Sequence, residues 1–505
     1  MILYVVVWFF IHMSIPGYTS GAGSEHVSLK KSLIWGPGLK ADFLVPVRYF
    51  FIQLVSKDGS KLTDSVGENV ITVTIEPMSN HRARIWTQVL DRHDGSYVVR
   101  YRLYASTSDL QISVQMNGRH IASSPYKLKG DIYHDACNCP LQTADEWAAS
   151  VGCPVGYAQI EHDLDPFKSI NMVQVAREAV EKFHHKGRRS ICHYKIVSNQ
   201  VYRKCYGEHV GFKMFADAIL LSLARKMFLT DFEFFMNLGD WPLENKADAD
   251  KPIPIMSWCG SKNAYDIVLP TYDITEATLQ MMGRISLDIF SVQANTGPRW
   301  ENKSAVAFWR GRDSRRERLQ LVEMSQKHPQ LIDARLTKMF FFPHNETKYG
   351  PLTPQISFFE FFKYKYQLNI DGTVAAYRLP YLLAGDAAVF KQESEYYEHF
   401  YSRLKPDVHY VPIKQDLSDL LEKIQWAMSN DDKVKVIAKN GQEFAREHLT
   451  PANILCYHVR AFQQYARRLK TKPQITSEFE LVKQPEDSAS CSCPSSKPKR
   501  THGEL

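Results

Sequence analysis

Residues Tyr366 to Asp386, YQLNIDGTVAAYRLPYLLAGD, constrain this chain more than any other stretch, because they spell a buried strand, a turn of small residues and a helix start carrying an arginine. Leu368, Asn369 and Ile370 end an apolar run at Asp371-Gly372; Thr373 to Ala376 then lead through Tyr377 and Arg378 into a second apolar run. That order has the form of a phosphate cradle. Small side chains let a ligand approach the backbone, N–H groups at a helix N-terminus attract an anion, and Arg378 adds a fixed charge. Taken alone the pattern is weak, since an Ala-rich helix start with one arginine is more often plain packing.

Upstream, AVAFWRGRDSRRER covers Ala305 to Arg318. Ala305 to Trp309 read as a buried strand, Gly311 breaks it, and Ser314 with Glu317 fits a capping box opening the next helix. Arg310, Arg312, Arg315, Arg316 and Arg318 therefore crowd the C-terminal end of a strand, where open α/β sheets bind ligands. For Arg315 and Arg316 a solvated helix face is the better reading. For Arg310, Arg312 and Arg318 a phosphate role stands level with it. In FEFFMNLGDWP, Phe232 to Pro242, the residues Phe234, Phe235, Met236 and Leu238 form a strand, Gly239 turns it, and Asp240 stands at its end beside Trp241. Partial desolvation there would raise the carboxylate's pKa and suit it to general-base work, although a turn aspartate before Trp-Pro also serves loop structure.

Together these segments resemble the protein O-glucosyltransferases of the secretory pathway, related to fungal capsule-associated proteins. The resemblance runs from about Cys137 to Arg467. It rests on DWP, FWRGR with a following ER, and DGTVAAYR in order, with HDLDPF (His162 to Phe167), YDIVLPTYD (Tyr265 to Asp273), MGR (Met282 to Arg284), LIDA (Leu331 to Ala334) and LKPDVHYVPIK (Leu404 to Lys414) as lesser landmarks. It implies that Asp240 is the catalytic base. It also implies that Arg312, Arg318, Thr373, Val374, Ala375, Ala376, Tyr377 and Arg378 hold a UDP-sugar, and Arg310, from its place at the strand end, is expected to join them on the diphosphate. The best-known members carry Ser where Arg312 and Ala376 stand here, a departure that bears on donor-sugar preference more than on reaction type.

The N-terminal third is different in kind. YFFIQLVSKDG, VITVTIEP, DRHDGSYVVRYRLY (Asp91 to Tyr104) and GRHIASSPYKL (Gly118 to Leu128) are short alternating strands spaced by Gly, Asp and Pro turns. They indicate an antiparallel sandwich. The motifs resemble a filamin-type immunoglobulin-like repeat over residues 28–130, which within the glucosyltransferases points to the subgroup with a KDEL-like tail.

Ile2 to Met13 form an apolar run too short for a comfortable membrane span, with a plausible cleavage site at Ser20-Gly21-Ala22, so residues 1–22 are expected to be a signal peptide. No later segment reads as membrane-spanning. His502, Gly503, Glu504 and Leu505 keep the terminal Glu-Leu of a KDEL signal and are expected to engage the retrieval receptor of the endoplasmic reticulum, giving a lumenal location. Nine cysteines, among them Cys137, Cys139, Cys153, Cys192, Cys205 and Cys456, fit an oxidising compartment, and their odd number leaves at least one outside intramolecular pairs. The resemblance implies bridges within Cys137, Cys139 and Cys153 and from that cluster to Cys456. Zinc is the other use of Cys-x-Cys, but no matching His and Cys cluster is apparent. Asn302 and Asn345 begin N-glycosylation sequons, expected at the surface.

A chain of 505 residues, 44% hydrophobic, has room for more than one domain, and a formal charge of +7 does not imply nucleic-acid binding. From residue 471 the composition turns to Ser, Pro, Lys and Glu, so 471–505 read as a disordered tether carrying the retrieval signal. Between sandwich and tail, helical patterns such as Ala216 to Met227 and Asp416 to Met428 alternate with strands, which argues for two α/β lobes. Tyr396, Tyr397, Phe400 and Tyr401 read as helix core. The resemblance sharpens the lobes to a GT-B glycosyltransferase over residues 137–470, with the base and acceptor contacts on the first lobe and UDP on the second. It implies inverting transfer of glucose from UDP-glucose to a serine of epidermal-growth-factor-like repeats of Notch and fibrillin type. No DxD motif sits beside these segments, so no metal and no other cofactor is expected. Two alternatives remain at this stage: transfer of xylose from UDP-xylose to the same acceptors, and a non-catalytic lumenal protein that holds clients with its sandwich.

Overall fold

A computed structural model describes residues 26–67, 69–78, 83–183, 190–248, 250–486, 491 and 493; the expected signal peptide and the His502 to Leu505 signal lie outside them. The N-terminal unit is a sandwich. One sheet runs Leu33–Trp35, Arg48–Gln53, Ser96–Leu103, Ile85–Asp91; the other places Thr107–Met116 between Ile71–Pro77 and the strands Arg119–His120 and Tyr126–Ile132. Period-two alternation sends Phe50, Ile52, Tyr97, Val99 and Tyr101 into the sandwich core. Gly95 (φ +76°) makes the hairpin turn, where a Cβ would lie 2.6 Å from Leu62.

An antiparallel sheet can leave its second face to water, but here the middle of that face is covered while Trp35 and Trp86 at its edges stay exposed. Tyr49 and Val98 on the outer face are buried in the core of the following α/β region, and Phe51 packs against it. Tyr49 meets Phe290 at 4.9 Å between ring centroids.

The α/β region contains two sheets. The first is mixed and six-stranded, in the order Ile267–Val268, Ile255–Ser257, Phe232–Asn237, Ile191–Val197, Gln200–Tyr206, Glu480–Leu481. The second is five-stranded and wholly parallel, in the order Ile332–Lys338, Ser304–Arg312, Tyr364–Asn369, Ala388–Gln392, Val411–Ile413. After Ser304–Arg312 the chain adds Ile332–Lys338 on one side, then returns to add Tyr364–Asn369 on the other. This is a topological switch point, and the crevice beyond the ends of those two central strands is where such a sheet can take a ligand. The long helix Pro451–Ala466 returns to the first sheet's core, tied there by a Cys153–Cys456 disulfide. No helix among the described residues is long and apolar enough to cross a membrane.

Several local expectations are corrected. The segment after residue 471 is not a loose tether throughout: Glu480–Leu481 pairs with Gln200–Tyr206 as the edge strand of the first sheet, and Phe479 lies edge-on to His193 at 5.2 Å. A polar composition hid a strand whose partner is almost 280 residues upstream. Cys137 and Cys139 bridge to Cys491 and Cys493 and not within their own cluster, because the returning tail runs beside them. Among the described residues the side chains close enough to share an ion are these same disulfide sulfurs, with His134 beside Cys137 and Cys491. Cys192 pairs with Cys205 on the facing strand, and Cys259 is free and buried. Tyr396–Tyr397 is not helical; it is a short strand against Gly260–Ser261. The helix expected from Asp416 begins at Leu420 and runs to Ser429.

Candidate active site

Asp240 follows the strand Phe232–Asn237, which is buried along its whole length. Its loop is clamped at both ends. The Asn237 amide donates to the Trp241 carbonyl (2.7 Å) and to Ser257 Oγ (3.0 Å), while its oxygen accepts from Gly239 N–H (2.9 Å). The Asp266 carboxylate accepts from the backbone N–H groups of Leu243 (2.9 Å) and Glu244 (2.8 Å) and from the Ser257 hydroxyl. Asn237, Ser257 and Asp266 are all buried, so this network fixes the loop from beneath. Sequence reasoning missed Asn237 and the role of Asp266. The available signal was a polar residue closing a mostly apolar strand.

The Asp240 carboxylate points toward the second sheet. Oδ1 accepts from the Tyr272 hydroxyl at 3.4 Å, and Oδ2 from the Thr373 hydroxyl at 3.5 Å. Burial raises its pKa above the usual aspartate value; the two hydroxyls and the Arg312 charge pull partly the other way.

The arginines divide by partner. Arg310 stacks over Phe308 and spends its guanidinium on Asp333, with Nη2 2.9 Å from Oδ2. Arg318 is buried with every nitrogen engaged: Nε donates to Asp371 O (2.7 Å), Nη2 to Ile370 O (3.0 Å), and Nη1 to Arg312 O and Ser314 Oγ (both 3.1 Å). It pins the ends of the two central strands together. Burial and neighbouring arginines lower its pKa to about 9, so it still carries its charge at neutral pH. Ser314 thus accepts from Arg318 and forms no capping box; the helix Arg316–Lys327 has no side-chain cap. Arg378 donates through Nη1 to Arg310 O at 2.6 Å, leaving Nη2 and Nε without a partner among the described residues. The Arg312 guanidinium makes no hydrogen bond or ion pair among them and lies over the Phe340 ring at 5.4 Å.

The cradle itself is a bend, with the Gly372 N–H donating to Val374 O at 2.8 Å. A Cβ on Gly372 would stand 3.2 Å from Arg318 Nη2, so any larger residue there would press on the guanidinium that pins the two strand ends. The following helix is Leu379–Ala384, with Arg378 at its N-cap, and Thr373 to Ala376 lead into it as the turn of small residues that the sequence pattern implied. Val374 and Ala375 pack on Cys259, and Tyr377 meets Tyr272 edge-on at 5.4 Å.

Asp240, Arg310, Arg312, Arg318 and Thr373 to Arg378 all border one cavity of about 460 Å³, joined by Tyr272, Asp273 and Tyr381. Asp240 also borders a second hollow of about 530 Å³, with Ser190, His209, Phe212, Trp241 and Pro242. There Trp241 and Phe212 are 54% and 39% exposed, large apolar side chains left open to solvent. One carboxylate therefore stands between a cationic chamber and an apolar one. Asn302 and Asn345 are exposed.

Comparison with known proteins agrees with these two units. The glycosyl transferase family 90 pattern matches residues 148–502, and the filamin/ABP280 repeat pattern matches residues 26–127. The chain is 53% identical to protein O-glucosyltransferase 2 of Danio rerio over 460 residues, covering 91% of this chain and 92% of that protein. It is 49% identical to protein O-glucosyltransferase 3 of Homo sapiens over 488 residues, 95% of this chain and 96% of that protein. It is 30% identical to human protein O-glucosyltransferase 1 over 359 residues, 68% of this chain and 87% of that protein.

Proposed function

This chain belongs to glycosyl transferase family 90, and from that premise we propose that it is an inverting protein O-glucosyltransferase of the endoplasmic reticulum lumen, moving glucose from UDP-glucose to a serine of epidermal-growth-factor-like repeats. The observation that carries the reading is the single cavity bordered by Asp240 from the first sheet and by Arg312, Arg378 and Thr373 from the second. We assign the two sheets to the lobes of a GT-B enzyme. The parallel sheet with its switch point holds UDP, and the apolar hollow beside Trp241 receives the acceptor.

In this mechanism the acceptor serine enters from the Trp241 side and gives its proton to Asp240 as its oxygen attacks the anomeric carbon. Attack comes from the face opposite UDP, so the C1–oxygen bond to UDP breaks as the new one forms and the configuration inverts. Desolvation keeps the Asp240 carboxylate more basic than one in water, which strengthens it as a base. Negative charge gathers on the departing diphosphate. Arg378 and Arg312, with donors to spare, meet it, while Arg318 holds the cradle that aims them. These cations take the part a divalent ion plays elsewhere, so the reaction runs without metal.

Mass spectrometry of a folded acceptor repeat incubated with UDP-glucose or UDP-xylose tests the reading. A hexose added to one serine is the expected product. A pentose in its place would reassign the donor, and no addition from either would remove the transferase assignment.

A further inference from the structure

Among the polar contacts between the sandwich and the catalytic region, two charge pairs lead to one helix. At the first, Arg100 on the outer sheet face sends Nη1 to both Asp288 oxygens at 2.8 Å and Nη2 to Ser291 Oγ at 3.1 Å. The Arg100 and Asp288 side chains are 6% and 1% exposed. Asp288 also accepts from the N–H groups of Phe290 and Ser291, capping the short helix Ile289–Gln293. At the second, Asp94 in the hairpin between Ile85–Asp91 and Ser96–Leu103 pairs with Arg446 Nη1 at 2.6 Å, on the helix Asp431–His448. Neighbouring His93 reaches Ala294 O at 3.1 Å.

Both helices held in this way pack against Leu379–Ala384, the helix whose N-cap is Arg378. Phe290 and Val292 share a core with Leu379, Tyr381 and Leu382, into which the sandwich inserts Tyr49 and Val98. Close-packed interiors transmit displacement instead of absorbing it. Removing one partner of a buried charge pair leaves the other uncompensated, so the Arg100 contact tolerates little drift.

We propose that the filamin-like sandwich is a fixed abutment of the donor site: Arg100 and Asp94 are positioning residues that hold the helices flanking Leu379–Ala384 and thereby set the place of Arg378. The inference rests on the donor reading for its catalytic consequence but not for its mechanical one. The sandwich then acts on the sugar nucleotide and not on the acceptor, although it touches neither.

The test uses the full chain carrying Arg100→Gln or Asp94→Asn. Each is expected to raise the KM for UDP-glucose and the Kd for UDP by on the order of fivefold, leaving the acceptor KM unchanged. Amide exchange should quicken in Leu379–Ala384 and stay as it was in Phe232–Asn237. A variant that lowers the melting temperature but keeps wild-type UDP affinity and wild-type exchange in Leu379–Ala384 overturns the proposal, as does a parallel rise in both KM values. If Arg100→Gln fails to fold, Ser291→Ala removes one contact of the guanidinium and is judged by the same measurements. The exchange measurement decides the mechanical claim whether or not transfer is detected, so failure of the transferase reading stays distinguishable.

Discussion

Asp240 and Thr373 lie 133 positions apart in sequence, on the ends of different sheets, yet the Thr373 hydroxyl stands 3.5 Å from Asp240 Oδ2. That contact joins the proposed proton acceptor to the turn proposed to face the donor. Its length leaves room for a reacting group to displace it.

Asp240→Asn should abolish transfer while leaving UDP binding within about twofold, because the amide keeps the shape but cannot take a proton at neutral pH. The same variant should be more stable than the wild type. A carboxyl whose folded pKa is raised favours folding below its unfolded pKa, and that contribution is lost as pH rises through the folded value. The melting-temperature advantage of the Asn variant should therefore be present at pH 7 and vanish below about pH 4. An advantage that persists unchanged in acid would contradict the desolvation account.

Arg378→Gln and Arg310→Gln should part company. Loss of a donor aimed at the leaving group is expected to lower kcat/KM by roughly 10²–10³. Arg310 spends its charge on Asp333, so its loss should lower stability more than turnover. Steady-state rates beside thermal melts of the two variants decide this, and equal losses in kcat/KM would refute the division.

Asn237→Ala should reduce kcat strongly with little change in the KM for UDP-glucose, since it frees the Asp240 loop without touching the cradle. A change confined to donor KM would show that Asn237 does not act through Asp240.

Deleting residues 477–486 should lower the melting temperature by several degrees. It removes the edge strand, the Phe479 contact with His193 and the Glu480 pairing with Arg203. An unchanged melting temperature would mean that the tail adds nothing to the first sheet.

Treatment with a chelator should leave the initial rate unchanged. A rate lost to chelator and restored by manganese would mean that the arginines do not suffice.

The three motif segments were legible because each is local: an apolar run, a small-residue turn and a charged or capping residue follow within about a dozen positions, and short-range sterics dictate strand, bend and helix. The sandwich was legible for the same reason, through its alternation and turns. The division of labour among Arg310, Arg318 and Arg378 was not, since identical side chains differ only in the carbonyls and carboxylates that tertiary packing brings to them. Nor was the edge strand at Glu480, whose partner is remote in the chain.

Sequence alone therefore determined which residues are candidates for the chemistry and which turns carry them, because side-chain type and local backbone preference are written in consecutive positions. Tertiary structure decided which arginines stay unspent, what clamps the Asp240 loop, and that a sandwich sheet packs part of its second face against the helices around Leu379–Ala384. Those outcomes depend on contacts between residues tens to hundreds of positions apart, where burial and hydrogen-bond partners are set by packing and not by neighbours in the chain.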